Sequence, residues 1–88
     1  MLQKVFAIYD VKAEGYKPAW TMNTVGEAER SFMDACQGHD TDLGRHPEDY
    51  QLYCVGEFDQ YEGALKPEKF FVCNGVQFSK LMEDPGNG

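Results

Sequence analysis

One amphipathic helix pattern, flanked by segments with strand periodicity, limits most strongly what this chain can fold into. Residues 24–27 read Thr-Val-Gly-Glu, the Ser/Thr-x-x-Glu form in which a hydroxyl and a carboxylate satisfy unpaired N–H groups at a helix start. Apolar residues then recur at the 3.6-residue period, at Val25, Ala28, Phe32, Met33 and Cys36. Gly38 is predicted to end the helix in the left-handed conformation. Because one helix covers one face of a sheet, the pattern predicts a two-layer α+β fold.

Four segments rich in apolar, β-branched or aromatic residues predict the strands: residues 4–10, 20–23, 50–58 and 64–73. Pro67 lacks an amide hydrogen, so its part of the last strand belongs at an edge or a bulge. Gly56 predicts a second bulge, and residues 59–63 predict a hairpin loop. We therefore expect an antiparallel-rich sheet of about four strands in β-β-α-β-β order, with one main helix packed on one face.

The remaining segments are predicted to lack a regular element. Residues 12–18 form a connection, and residues 39–49, with Gly44 and Pro47 as breakers, form a surface loop. Residues 75–82 fit either a short strand or a helical turn. Residues 1–82 then form a single domain, and residues 83–88 form a flexible tail.

The strand pattern also predicts which residues the helix leaves uncovered. The helix side is expected to hold Phe6, Ile8, Leu52, Cys54 and Phe58. The far side is expected to hold Val5, Tyr9, Tyr53, Val55 and either Phe71 or its neighbour Phe70. A patch of this size exceeds what monomers usually expose, so it predicts cover by the C-terminal segment, a second copy or a partner. We therefore predict an interaction surface made of Val5, Tyr9, Tyr53, Val55 and Phe71.

The uneven distribution of charge along the chain indicates a second candidate surface, one that would bind nucleic acid. Eight Lys and Arg against fifteen Asp and Glu give a net charge of −7, which repels phosphate and argues against coating DNA by charge alone. Residues 1–20 nevertheless carry a net charge of +1, whereas residues 21–62 carry −8. The candidate DNA-binding residues in the positive region are Lys4, Lys12, Lys17, Tyr16 and Trp20. The alternative is that Trp20 lies in the core and that the lysines are ordinary surface residues.

Catalytic and cofactor motifs are missing from the sequence. Cys36, Cys54 and Cys73 occupy apolar-periodic positions, which predicts buried thiols rather than a nucleophile, a disulfide framework or a zinc site. The nine glycines are scattered singly, without a phosphate-binding loop. No run approaches the 18 apolar residues of a membrane span, and the first residues lack a signal-peptide pattern. We therefore expect a chain that is not an enzyme, needs no cofactor and has no membrane partner.

The densest group of potential metal ligands lies in residues 39–49, where His46, Glu48 and Asp49 follow His39, Asp40 and Asp42. Their spacing matches neither a zinc nor an EF-hand pattern. A solvated acidic loop is the favoured interpretation, and no metal is predicted. His46, Glu48 and Asp49 remain candidates for a loop surface that contacts a partner.

Three stretches of the chain together resemble a known viral family. They are Lys-Val-Phe-Ala-Ile-Tyr-Asp at residues 4–10, Gly-Glu-Ala-Glu-Arg-Ser-Phe-Met-Asp at residues 26–34 and His-Pro-Glu-Asp-Tyr-Gln-Leu-Tyr-Cys-Val-Gly-Glu-Phe-Asp at residues 46–59. They are similar to the small nonstructural protein of gokushoviruses, single-stranded DNA phages of the Microviridae, over about residues 3–80. The resemblance implies a product of the infected bacterial cytoplasm, connected with phage DNA replication or labelled as DNA-binding. It implies no particular functional residues.

Two functional hypotheses follow. The first is a non-enzymatic phage accessory protein that acts through protein contacts in genome replication or packaging, with itself as a homodimer or with a phage or host protein. The second is a single-stranded DNA-binding protein that uses the basic and aromatic N-terminal region. A DNA binder should lose affinity steeply as salt rises, which separates the two hypotheses.

Overall fold

The computed structural model describes residues 2–38 and 40–78 of the 88-residue chain. Strands β1 (Leu2–Asp10), β2 (Gly15–Tyr16) and β3 (Trp20–Met22) are followed by helix α1 (Val25–Gln37), helix α2 (Asp42–Arg45), a 3-10 turn (Pro47–Asp49), and strands β4 (Tyr50–Asp59) and β5 (Ala64–Asn74). This order confirms the predicted α+β class. The two-residue strand β2, inside the predicted connection, adds a fifth strand. The predicted tail, residues 83–88, and residues 79–82 lie outside the described residues.

The sheet is antiparallel and has the order β2-β1-β4-β5, with β3 paired to the first half of β1. Strand β1 lies in its interior because its consecutive apolar residues present side chains to both faces. Strand β5 lies at an edge, where Pro67 is accommodated as predicted. Gly63, with φ of 65°, ends the turn between β4 and β5. Strands β4 and β5 therefore form a long hairpin at one edge of the sheet.

Helix α1 packs its predicted apolar stripe against one face of the sheet. The Thr24 hydroxyl accepts a hydrogen bond of 3.1 Å from the backbone N–H of Glu27, which is the predicted N-cap. Ala28, Phe32 and Cys36 are buried. They share one core with residues from three strands, among them Phe6, Leu52, Cys54 and Cys73. We call this face of the sheet the helix side.

The predicted left-handed end of α1 is wrong. Gly38 has φ of −81° and ψ of 139°, which is extended backbone. The carbonyl of Ala35 accepts hydrogen bonds from the Gly38 N–H at 3.2 Å and from the Thr41 hydroxyl at 2.8 Å. Because the Thr41 side chain satisfies this last-turn carbonyl, the chain leaves the helix without a residue at positive φ.

The prediction of a surface loop over residues 39–49 is also wrong. Thr41 caps α2 by accepting a hydrogen bond of 2.9 Å from the Gly44 N–H. Leu43 is only 7% exposed and joins the core, and Pro47 in the following turn is buried. Two short turns, the first capped by Thr41 and each anchored by one buried apolar side chain, therefore hold this segment against the domain.

A bulge in β4 reverses one predicted assignment. Phe6 pairs with Cys54, but Val5 pairs with Gly56, so one residue of β4 is extra at this point. Paired residues share a face, and residues along β1 alternate strictly, so Phe58, which pairs with Gln3, lies on the face opposite Phe6. Phe58 was predicted on the helix side. The bulge that Gly56 predicted is present, and its effect on the alternation moves Phe58 to the other face.

The chain after β5 turns toward the helix side. The N–H of Phe78 donates to the carbonyl of Gly75 at 3.1 Å, and the Phe78 ring packs edge-on against Phe32 at a centroid distance of 6.1 Å. Within the described residues, the C-terminal segment therefore adds to the core around α1. Residues 75–78 do not cover the opposite face of the sheet.

Candidate functional site

The face of the sheet opposite α1 carries the candidate site, and we call it the open face. Strand alternation and register place on it Gln3, Val5, Ala7 and Tyr9 of β1, Tyr16 of β2, Gln51, Tyr53, Gly56 and Phe58 of β4, and Leu65, Pro67, Phe71 and Asn74 of β5. Within the described strands, every Asp and Glu lies on the helix side of the sheet instead. Asp10 pairs with Tyr50, Asp59 pairs with Leu2, and Glu57 and Glu68 both contact Lys4. The open face is thus free of strand carboxylates in a chain of net charge −7.

Four aromatic rings form a continuous row across the open face, which we call the aromatic row. Its ring centroids lie 4.9 Å apart for Tyr9 and Tyr16, 5.9 Å for Tyr16 and Tyr53, and 5.7 Å for Tyr53 and Phe71. Tyr16 reaches Tyr53 across β1, where the small Ala7 pairs with Tyr53 and is 4% exposed. Tyr16 and Phe71 keep 43% and 49% of their surface exposed. The row therefore presents accessible aromatic surface on a rigid strand scaffold.

Lys69 places one positive charge over the middle of the aromatic row. Its Nζ lies 5.1 Å from the ring centroid of Tyr16 and 5.4 Å from that of Tyr53, within cation–π range. The Tyr16 hydroxyl, and to a smaller extent the Tyr53 and Tyr9 side chains, raise the pKa of the Lys69 ammonium. The ion pairs among the described residues involve Lys4 and Arg45 but not Lys69. The open face thus holds a cation surrounded by phenol groups.

The structure brings together three of the five residues predicted for the interaction surface. Tyr9, Tyr53 and Phe71 belong to the aromatic row, whereas Phe70, the alternative to Phe71, pairs with Cys54 on the helix side. Val5 lies on the same open face, and Val55 is the extra residue at the bulge.

The predicted DNA-binding residues are dispersed. Tyr16 lies in the aromatic row, and Lys12 is exposed in the turn after β1. Lys4 is paired with Glu57 and Glu68, 3.5 and 3.9 Å away. Trp20 packs against Phe6 in the core at 6.1 Å. Lys17 lies over the ring of Tyr50 at 5.5 Å.

Lys69 is the residue that the sequence argument missed. It lies two positions before Phe71 in a predicted strand, so the period of two already placed both on one face. The predicted combination of basic and aromatic residues in the N-terminal region does not include it.

The 3-10 turn presents the other predicted surface residues. The potential metal-ligating atoms of His46, Glu48 and Asp49 lie within 4.8 Å of one another, with His46 and Glu48 exposed and Asp49 half-buried. These carboxylates belong to a wider acidic region: burial raises the pKa of the Tyr50 hydroxyl, and the charges of Asp10, Asp42 and Asp49 raise it further. The turn is therefore an anionic surface, distinct from the open face.

The cysteines are buried free thiols, as predicted. Burial raises the pKa of the Cys36 thiol to about 11 and that of Cys73 to about 12, the latter with help from the charge of Glu29. Both thiols are therefore protonated at neutral pH, and the thiolate is the nucleophilic form of cysteine. Neither thiol is poised for nucleophilic catalysis.

Two shallow pockets lie away from the aromatic row. One of about 330 Å³ lies on the β4–β5 hairpin, between Leu2 and Leu65. The other, of about 230 Å³, lies between α1 and Phe78. Among the described residues, neither lining contains cysteine, serine or histidine. The described part of each pocket thus supplies no nucleophile beside a base.

Comparison with known protein families gives a match over most of the chain. No curated protein and no solved structure matches the chain. Among the residues that the structure describes, no helix combines the length and the apolar character needed to cross a membrane. The family model described as Phage ORF5 protein matches residues 3–78, which include every described strand residue from Gln3 onward, helices α1 and α2, and the whole aromatic row. The chain belongs to the Phage ORF5 protein family.

Proposed function

We propose that the chain is a non-enzymatic, nonstructural accessory protein of a single-stranded DNA phage of the gokushovirus type, and that it works in the host cytoplasm through protein contacts in genome replication or packaging. The observation that carries the proposal is the aromatic row, exposed on a rigid sheet face that the described residues leave uncovered. Family membership supports the phage origin. The resemblance of the three sequence stretches supports the finer assignment.

The composition of the open face fits a protein interface. Tyrosine and phenylalanine are enriched at the buried centres of interfaces, whereas Lys, Glu and Asp are depleted there. Tyr16 and Phe71 each keep nearly half of their surface exposed. Covering about 100 Å² on each ring would contribute about 2.5 kcal/mol per ring at ~25 cal/mol per Å². A few buried aromatic residues usually supply most of the binding energy of an interface, so two such rings suffice as its main contacts.

The absence of an enzyme activity is part of the proposal. The protonated thiols of Cys36 and Cys73 and the pocket linings support it. We also propose that the protein needs no cofactor. Its partners would be a phage or host replication or packaging protein, or a second copy of the chain.

A single-stranded DNA-binding function is the second candidate, and Lys69 favours it. The cation over Tyr16 and Tyr53 resembles the combination of positive charge and aromatic surface on which bases stack. The binding residues would then be those of the open face rather than the N-terminal set. Such binding would weaken with rising salt, whereas contacts through the aromatic row alone would depend little on salt.

Capture from infected bacterial cells with two matched variants tests the proposal. Phe71→Ser removes one ring of the aromatic row, and Phe70→Ser removes the neighbouring ring on the helix side, which is 40% exposed. We expect wild type and Phe70→Ser to retain a phage or host replication or packaging protein that Phe71→Ser loses.

The outcome with nuclease separates the two candidates. A partner that stays bound after nuclease treatment supports protein contacts. A partner lost on nuclease treatment, together with retention of a labelled dT oligonucleotide, supports the DNA-binding candidate. Equal capture by both variants would contradict a role for the open face.

A further inference from the structure

We infer that the open face is a docking site for a protein segment that presents one carboxylate beside apolar or aromatic side chains, with Lys69 as the contact for the carboxylate. This inference rests on the proposed function and names the chemistry of the partner. The cation over Tyr16 and Tyr53 supplies charge, and the aromatic row supplies apolar contact area. A carboxylate is the group that best complements the Lys69 ammonium, because an ammonium–carboxylate hydrogen bond is about twice as strong as a neutral one.

The charge of the open face disfavours a second copy as the occupant. Two copies packed face to face would bring two Lys69 side chains into one interface. The strand carboxylates of each copy, such as Glu57 and Glu68, point to the other face and contact Lys4 there. Two like charges without a counter-ion weaken an interface, so the face is better matched to a partner that brings its own carboxylate.

The small number of positive charges on the open face disfavours single-stranded DNA as its occupant. A nucleic acid brings one negative charge per nucleotide, and non-specific sites of this kind span about 4 to 16 nucleotides. The open face offers one strand lysine, Lys69, and the chain as a whole carries −7. A peptide segment with one carboxylate matches a single cation, whereas a polyanion does not.

The geometry of the edge favours contact with the face rather than strand addition. Strand β5 lies at the sheet edge, and Pro67 in its middle has no N–H to offer an added strand. The aromatic row crosses four strands, which at about 4.8 Å per strand spans about 15 Å. An extended segment of four or five residues covers that distance.

Selection from a displayed library of random dodecapeptides tests the inference. The baits are the wild-type chain, Lys69→Gln, and the matched control Lys66→Gln, whose lysine pairs with Glu57 on the helix side of the same strand. We expect wild type and Lys66→Gln to enrich peptides in which Asp or Glu adjoins aromatic or apolar residues. Lys69→Gln should enrich apolar peptides without the acidic residue.

The selected peptide and its twin, with Gln or Asn in place of the acid, then give a quantitative test by fluorescence anisotropy. The twin should bind wild type and Lys66→Gln at least about tenfold more weakly than the acidic peptide, and Lys69→Gln should bind both alike. An enriched sequence without Asp or Glu, or no enriched sequence, would overturn the inference. So would a twin that binds within about twofold, or a wild-type dimer in sedimentation that Phe71→Ser dissociates.

Failure here is distinguishable from failure of the proposed function. If Phe71→Ser loses a partner that Phe70→Ser retains, while the acidic peptide and its twin bind alike, then protein contact through the open face stands and the role of the carboxylate is wrong. Tight binding of a dT oligonucleotide that depends on Lys69 would instead assign the face to DNA.

Discussion

Replacing one phenylalanine on each face of the sheet tests whether the aromatic row is dispensable for folding. Phe6 is fully buried on the helix side, whereas Phe71 on the open face is 49% exposed. Phe6→Ala removes a ring enclosed on all sides, so the lost transfer energy and the cavity together should lower the free energy of unfolding by about 3–5 kcal/mol.

The expected cost of Phe71→Ala is smaller for two reasons. About half of its side chain already faces water, and the space left by the ring is open to solvent, so no closed cavity is created. The remaining loss is the half-buried surface and the edge-on contact with Tyr53 at 5.7 Å, together about 1–2 kcal/mol. The two variants should therefore differ by about 2–3 kcal/mol.

Urea denaturation followed by circular dichroism measures both values. With a slope of about 1–3 kcal/mol per M, the midpoints of the two variants should lie about 0.7–3 M apart. If Phe6→Ala does not fold, Phe6→Leu replaces it as the milder core variant. Equal losses for Phe6→Ala and Phe71→Ala would refute the reasoning, because the open face would then be a second core, covered in solution by another part of the chain or a second copy.

Three further predictions follow from the local structure. Thr24→Ala should lower the free energy of unfolding by about 1 kcal/mol, because the cap of α1 is lost; Thr24→Ser should restore it in the same urea assay, and a neutral Thr24→Ala would contradict the cap. Gly75→Ala should cost more, about 1–3 kcal/mol or loss of folding, because a Cβ there meets the backbone of Pro47; an unchanged midpoint would contradict this close approach. The buried thiols, with pKa raised to about 11 for Cys36 and about 12 for Cys73, should react with a disulfide reagent at pH 8 at least tenfold more slowly in the folded chain than in urea, and equal rates would contradict their burial.

The fold was predictable where a pattern is long enough to repeat. Helix α1 follows from the Thr24 cap and an apolar stripe over 13 residues. Helix α2 has four residues, too few to show a helical period, and depends on the cap by Thr41 and the burial of Leu43. The register of β4 changes at a bulge whose presence Gly56 predicts, but the face on which Phe58 then lies depends on strand pairing.

The candidate site was predictable in part. Alternation along β1, β4 and β5 identifies Tyr9, Tyr53 and Phe71 as neighbours on the face away from the helix. Tyr16 joins them through a strand of two residues, which is too short for any alternation to predict. Lys69 belongs to the predicted face by its spacing from Phe71, but only the structure shows its ammonium over the rings of Tyr16 and Tyr53.

Hydroxyl-radical footprinting of the aromatic row tests the central claim most directly. Tyr16 and Phe71 are compared in the isolated chain and in the complex captured from infected cells, with Tyr61, 86% exposed at the tip of the hairpin, as the internal reference. The account predicts that both residues are oxidised in the isolated chain and protected in the complex, while Tyr61 changes little. Protection of Tyr16 and Phe71 already in the isolated chain, or equal oxidation in both samples, would contradict a binding role for the open face.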